Sequence, residues 1–419
     1  MILTGLLLIL LALMGAPLFA IIGASALLGF ARSDIPLTAV PIEIFGIAET
    51  PILLAIPLFT FAGYLLSESR AAARLVRLSS ALLGWLPGGL AMVAVATCSL
   101  FTAFTGGSGV TIIAIGALLY PALVQSGYKE GFTLGLVTSS GSLGLLFAPS
   151  LPLIIYGIIA EVSIDELFIA GILPGVLMML ALALYCLWMN RANRRPISEF
   201  SWREVGRAAR ESIWELPLPV VVLGGIYSGL VAVSEAAAVT VVYVLIIETL
   251  VYREIPLRKL PAIVRESMVL VGGILLILGI SLASTNYMID AQVPQKLIAL
   301  VTSYISSQTS FLFLLIGFLM IIGCILHIYS ALVLVVPLIL PVAAKYGIDP
   351  VHLGIIFVAT MELGYLLPPI GLNLYISSYR FEQPVLRVCA ATFPFMLILL
   401  VAVLLITFIS PLSLALIGR

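Results

Sequence analysis

Residues 147–157 read FAPSLPLIIYG, two prolines and a serine in a stretch whose flanks on both sides are long and apolar. A soluble protein would use such residues to end a helix at its surface. With no polar flank to make that surface, the break is expected inside a membrane. Pro149 and Pro152 lack amide hydrogens and leave carbonyls one turn earlier without donors, so the helix must unwind here. Hydrocarbon tolerates freed backbone groups only where protein, water or a ligand satisfies them. The half-helix before the break ends in bare carbonyls that suit a cation. The half-helix after it begins with bare amides that suit an anion. One interruption can therefore serve both a sodium ion and a carboxylate, with Ser150 and Pro152 on the anion side.

Composition agrees with the membrane reading. Of 419 residues, 62% are hydrophobic and 10% charged, where an average soluble domain carries about a quarter charged residues. Runs of roughly 20 apolar residues, enough to cross the bilayer as helix, recur from end to end. The alternating pattern of an outer-membrane barrel does not. The expected class is an all-α polytopic membrane protein. The opening MILTGLLLILLALMGAPLFAIIGASALLGF (1–30) lacks the basic start and polar cleavage region of a signal peptide, and is expected to be a retained first helix. Cys98, Cys186, Cys324 and Cys389 lie in apolar runs without paired spacing, which suits packing and neither a disulfide framework nor a metal site. A formal net charge of zero gives no reason to expect nucleic acid as a partner.

Charge placement supplies a topology. If the most basic gap, residues 190–212 with Arg191, Arg194, Arg195, Arg203, Arg207 and Arg210, is cytoplasmic and the sides alternate from there, only Arg32, Lys296, Lys345 and Arg419 of the 20 basic residues fall outside. That arrangement has segments near 88–126 and 310–345 entering and leaving on the same side as re-entrant hairpins. Two full crossings apiece would leave the alternation unchanged.

An internal repeat makes the stronger case. Setting residues 117–157 above 337–377 pairs Pro121 with Pro341 and Gly127 with Gly347, an offset of 341 − 121 = 220. After a one-residue slip Gly135 pairs with Gly354, Pro149 with Pro368 and Tyr156 with Tyr375. The loop at 128–130 is then inside and its counterpart at 346–349 outside, so the two copies face opposite ways. Inverted repeats with broken helices are a recurring plan of secondary transporters, with solute and ion bound near the midplane. Each copy also follows an amphipathic stretch, 68–85 and 291–308, suited to lying along the membrane surface.

The second break, GYLLPPIGLNLY (364–375), has Pro368, Pro369 and Gly371 and adds the amide of Asn373. Opposite each break a hairpin tip is expected. In FTGGSGVT (104–111), Gly106, Gly107 and Gly109 permit a tight turn and close backbone approach, while Thr105, Ser108 and Thr111 offer hydroxyl oxygens that hard cations accept. The second tip, LHIYSA (326–331), centres on His327 and Ser330. A membrane-embedded histidine is a functional candidate, or else a structural group bonded to a carbonyl. Glu362, about a turn and a half before the second break, suits ion or proton coupling or a structural hydrogen bond. In TSSGS (138–142), Ser139 fits close helix packing, and Ser140, Gly141 and Ser142 fit contact with ion or substrate. No arginine lies near either break. A carboxylate would rest on half-helix amides, hydroxyls and Asn373.

GGSG (106–109) followed by a proline and SGY, then APSLPLIIYG (148–157), SIDELFIAGILPG (163–175), GIDPVHLGIIF (347–357) and LLPPIGLNLYISS (366–378) together resemble the large membrane subunit of tripartite ATP-independent periplasmic (TRAP) transporters. AIPLFTFAGYLL (55–66) is similar to that family's second helix, and the resemblance covers nearly the whole chain. It implies sodium-driven uptake of organic acids across the bacterial inner membrane, without an organic cofactor, by an elevator mechanism. A small four-helix membrane subunit and a soluble periplasmic binding protein would be partners, with lipid around the helices. The implied sodium sites fall on Gly106 to Gly109 with Ser140 to Pro149, and on the His327 region with Glu362 to Pro369, Gly364 included. Expected divisions are scaffold and first arm (1–85), a first transport half (86–170), scaffold, linker and second arm (171–308), a second transport half (309–380) and a C-terminal helix (381–419).

Two departures bear on the coupling ion. The first tip lacks the acid that often follows it in relatives, and His327 stands where the second tip usually has an acid. A proton could then replace one sodium. The rival readings are a stand-alone ion-coupled anion symporter of the same superfamily, a passive channel and a membrane-embedded enzyme. Against the last, the sequence has no HExxH, GxxxxGK[ST] or GxSxG, and its two histidines are His327 and His352.

Overall fold

The computed structural model describes residues 7, 8, 10, 11, 14–33, 35–48, 50–86, 88–191 and 200–419. Most of residues 1–13, and Arg194 and Arg195 of the basic gap, lie outside that set. Among the described residues every regular element is a helix, and eight are long and apolar enough to cross a membrane, or up to nine if a bent pair counts as one span. The chain is a multi-pass membrane protein. The expectation of one unbroken helix through residues 1–30 is corrected. The chain turns at Met14–Gly15, where Gly15 has φ +87°, and helix α1 (Leu18–Arg32) starts only after Pro17. Pro17 suits a position just outside a helix start because it has no amide to leave unpaired.

After α2 (Ala39–Ala48) and α3 (Ala55–Glu68) comes the first amphipathic arm, α4 (Ala71–Leu83). Helices α5 (Gly89–Thr105) and α6 (Ser108–Gln125) form the first hairpin, turning through Gly106 at φ +66° and Gly107. Then α7 (Glu130–Ser140) leads into the first break, which is longer than the prolines alone require. It begins at Gly141, passes through one 3-10 turn at Leu143–Leu146, and ends at Ser150, which precedes α8 (Leu151–Ala160). The two sides of the break are bent by 43°. Pro152 sits in the first turn of α8, where its missing amide costs nothing. Helix α9 (Ile164–Ala170) follows, and α10 (Ile172–Met189) leads on to the basic gap.

The connecting region holds α11 (Trp202–Glu211), α12 (Pro217–Tyr227), α13 (Val233–Ile246) and the 31-residue α14 (Leu260–Asp290). The second arm is α15 (Val293–Tyr304), and the second hairpin is α16 (Gln308–Ile325) with α17 (Ile328–Lys345), turning at Leu326–His327. The second broken helix is α18 (Pro350–Gly364) with α19 (Leu372–Arg380), followed by α20 (Val385–Phe408) and the short α21 (Pro411–Leu414). Both breaks contain a cis X-Pro bond, Ala148–Pro149 and Pro368–Pro369.

The two copies interlock. Tyr156 of α8 donates to the Pro350 carbonyl at the start of α18 at 2.5 Å, and its ring lies where any side chain on Gly354 would stand. On the other side, Thr138 of α7 donates to Ser377 of α19 at 2.8 Å. Each copy's hairpin also meets its own break through small residues. A Cβ on Gly144 would lie 2.2 Å from the Ser99 carbonyl oxygen, and one on Gly364 would lie 2.6 Å from Gly323 Cα.

Ion pairs gather the loops into the groups that the charge alternation predicts. Arg419 reaches Glu166 at 2.8 Å and Asp349 at 3.2 Å, while Arg387 reaches Glu130 at 2.6 Å. The densest cluster fastens the first arm. Arg74, 10% exposed, pairs with Glu215, with Glu254 at 2.5 Å and with Glu248 at 3.2 Å, and stacks 3.9 Å above the Tyr252 ring. Arg77 pairs with Glu204 and Glu211, tying α4 to α11.

Candidate functional site

Both hairpin tips open on one cavity of about 180 Å³. Gly106 to Val110 of the first tip and His327 to Tyr329 of the second form two walls. Tyr365, Leu372 and Ile376 of the second break form a third. Leu145 enters from the first break and Leu270 from α14. The close approach depends on glycine. A Cβ on Gly106 would fall 2.7 Å from Leu151 Cδ1, and one on Gly109 would fall 2.7 Å from Ile376 Cδ1.

Two tyrosines that the sequence reading passed over hold this arrangement. Tyr329 donates to the Gly106 carbonyl at 2.9 Å and joins the tips directly. The Tyr365 hydroxyl accepts the Ile328 amide at 2.6 Å, one of the free amides at the start of α17. His327 lies 4.8 Å from the Tyr329 ring centroid and 6.1 Å from that of Tyr365. It is exposed to the cavity. Part of the signal was available, since a phenol in hydrocarbon must find an acceptor and the tyrosines lie within LHIYSA (326–331) and GYLLPPIGLNLY (364–375), but their partners come from other segments.

The remaining sequence-derived candidates are placed as follows. Ser108 lines the cavity, together with Gly106, Gly107 and Gly109. Ser330 stands one turn into α17, outside the lining. Ser140, Gly141 and Ser142 are buried behind the first tip: Ser140 donates to Leu136 within its helix, and the Gly141 carbonyl accepts Thr102 at 2.7 Å. Thr102 in turn meets Thr111 at 2.6 Å, so the first tip is sewn to the first break by hydroxyls. Ser150 donates across the break to the Leu145 carbonyl, and Pro152 is buried beside it. Gly371 has the Tyr365 and Leu367 carbonyls 2.6 and 2.7 Å from where a Cβ would stand. Pro368 and Pro369 are exposed, and Gly364 packs on Gly323.

Asn373 turns away from the cavity toward α7, where its amide lies 3.5 Å from the Thr138 carbonyl. Its Oδ1, the Ser142 hydroxyl and both Glu362 oxygens are buried without a hydrogen-bond partner. Groups of this kind are rarely left so in a native interior. In the slipped alignment Ser142 falls opposite Met361, one residue before Glu362. Among the described residues no cluster of three or more His, Cys, Asp or Glu side chains could hold a metal ion.

Residues 4–412 match the family described as tripartite ATP-independent periplasmic transporter, DctM component. The chain belongs to that family. It is 36% identical over 395 residues to the C4-dicarboxylate TRAP transporter large permease protein DctM of Pseudomonas aeruginosa, covering 94% of this chain and 92% of that one. It is 33% identical over 407 residues to the ectoine/5-hydroxyectoine TRAP transporter large permease protein UehC of Ruegeria pomeroyi, with 96% and 95% covered. The isethionate TRAP transporter permease protein DctMQ of Oleidesulfovibrio alaskensis is 32% identical over 400 residues, which are 95% of this chain and 63% of that protein. These DctM relatives are named as transporter permeases and not as enzymes. The fold is shared with the crystal structure of the Alcanivorax borkumensis YdaH transporter at TM-score 0.65 and 13% identity, over 91% of this chain and 88% of that one.

Proposed function

We propose that this DctM-family chain is the large permease of a TRAP system that takes up a small organic acid by sodium-coupled alternating access. One observation carries the reading: hairpin tips from two repeat copies close on a single cavity beside the broken helices. The cavity is the solute site. Gly106, Gly107, Ser108 and Gly109 face the solute, and the free amides at the start of α19 attract its carboxylate. The buried unpartnered oxygens of Ser142 and Glu362 mark one cation or proton position in each copy.

The cavity has no lysine or arginine in its lining, which favours a solute carrying a single negative charge over one carrying two. Relatives named for C4-dicarboxylates, ectoine and isethionate support the class of small acids. Of the lining residues only Leu270 comes from outside the two proposed transport halves, 86–170 and 309–380. A site built so nearly within one body suits an elevator, in which that body slides against residues 1–85 and 171–308. The bacterial inner membrane, a small membrane subunit and a periplasmic binding protein complete the proposal.

Reconstitution in liposomes with the small subunit and binding protein tests it. An inward sodium gradient should drive saturable accumulation, and Ser142→Ala should raise the sodium concentration needed. Accumulation that follows a proton gradient without sodium would overturn sodium coupling. Uptake by the chain alone, without the binding protein, would favour the stand-alone symporter, and flux that does not saturate would favour a channel.

A further inference from the structure

A second hollow, of about 430 Å³, opens where α4 meets α11, and it shares no lining residue with the solute cavity. Four arginines line it: Arg70, Arg74, Arg77 and Arg210. Two carboxylates line it as well, and both are already engaged. Glu254 accepts from Arg74 at 2.5 Å and from the Arg70 amide at 2.7 Å, and Glu211 accepts on both oxygens from Arg77. Behind the lining, Glu215 and Glu248 are 4% and 1% exposed and face Arg74. The guanidinium groups of Arg70 and Arg210 differ from the rest. Both residues are exposed, and neither guanidinium has an ion pair or hydrogen bond among the described residues.

The rim of the hollow is apolar. Ile213 and Trp214 belong to the lining, and both are exposed. Indole rings beside guanidinium groups are the pairing found where protein meets the headgroup layer. Basic pockets at that level take phosphate headgroups, and a guanidinium fork matches phosphate oxygens in pairs. The charge alternation places this end of the molecule, with Arg70, Arg77 and Arg210, on the cytoplasmic side.

We propose that this hollow is a binding site for the phosphate of an anionic phospholipid. Arg70 and Arg210 donate to the phosphate, Ile213 and Trp214 cover the first part of the acyl chains, and the bound lipid bridges the first arm to α11. The site is independent of the solute cavity, and its test needs no transport.

Native mass spectrometry of the detergent-purified chain, titrated with phosphatidylglycerol or phosphatidylcholine, reads it directly. Wild type should retain phosphatidylglycerol over phosphatidylcholine. Arg70→Gln with Arg210→Gln should weaken phosphatidylglycerol by about fivefold for each arginine. Arg258→Gln, a cytoplasmic-side charge outside the hollow, should change nothing. Equal retention by wild type and the double variant, equal retention of both lipids, or an equal loss in Arg258→Gln would overturn the site. Displacement of the lipid by millimolar glycerol phosphate would overturn the lipid assignment in favour of a soluble anion. If the double variant fails to accumulate, Arg210→Gln alone decides: a fivefold loss is expected, and no loss overturns the proposal.

Discussion

Tyr329 and Gly106 are 223 residues apart and share one buried hydrogen bond. Tyr329→Phe should cost about 1 kcal/mol of stability and uncouple the tips, read as faster solute release with little change in folding. Tyr365→Phe is predicted to be worse, about 1–3 kcal/mol, because the buried Ile328 amide loses its acceptor. A thermal-shift comparison of the two variants in one detergent checks the order, and an equal effect would contradict it. Glycines at the first tip could be read from the sequence because a turn needs them locally. The tyrosines could not be assigned, since their partners come from another segment. Asn373 shows the same limit: its polarity near a break was legible, but its direction, toward Thr138, depends on how α19 crosses α7.

The broken helices are set by contacts between their glycines and the hairpins. Gly364→Ala puts a methyl 2.6 Å from a backbone carbon, with no flexible side chain to yield. A loss of about 1–3 kcal/mol is expected. Gly131→Ala, in helix α7 with open space around it, should instead gain up to about 1 kcal/mol. Unfolding of both variants in a denaturant series would show the opposite signs. The existence of the breaks, hairpins and arms was legible because proline, glycine clusters and amphipathic spacing act within one element. The length of the first break was not: it starts at Gly141, and the pull of Thr102 on the Gly141 carbonyl belongs to tertiary structure. The arm helix α4 carries its own pH dependence. A hydrogen bond from Arg77 holds the Glu204 carboxyl below the ordinary carboxylate range. The contribution is therefore present above that range and lost as pH falls through the lowered value. Docking of α11 on α4, followed by Trp202 emission, should hold through neutral and mildly acidic pH and loosen only once the pH has fallen below the ordinary carboxylate range.

Across the molecule, ion pairs join loops that lie far apart in the chain. Arg74→Ala leaves three carboxylates facing one another, two of them buried. Removing one partner of a buried pair typically costs about 3–5 kcal/mol, so this variant should unfold earlier than Arg387→Ala, whose pair with Glu130 is exposed. The overall plan was legible because charge asymmetry and the repeat are properties of the whole sequence, whereas which half-helix fills which copy is not encoded in either. That exchange has a consequence for biosynthesis. A ribosome delivers the first broken helix well before residues 350–380 exist, so Tyr156 and the Thr138 face of α7 enter the bilayer without the surfaces they later pack on. Nascent chains halted before residue 308 should therefore be recognised as incomplete and degraded by membrane proteases, and release from that surveillance should coincide with insertion of the second broken helix.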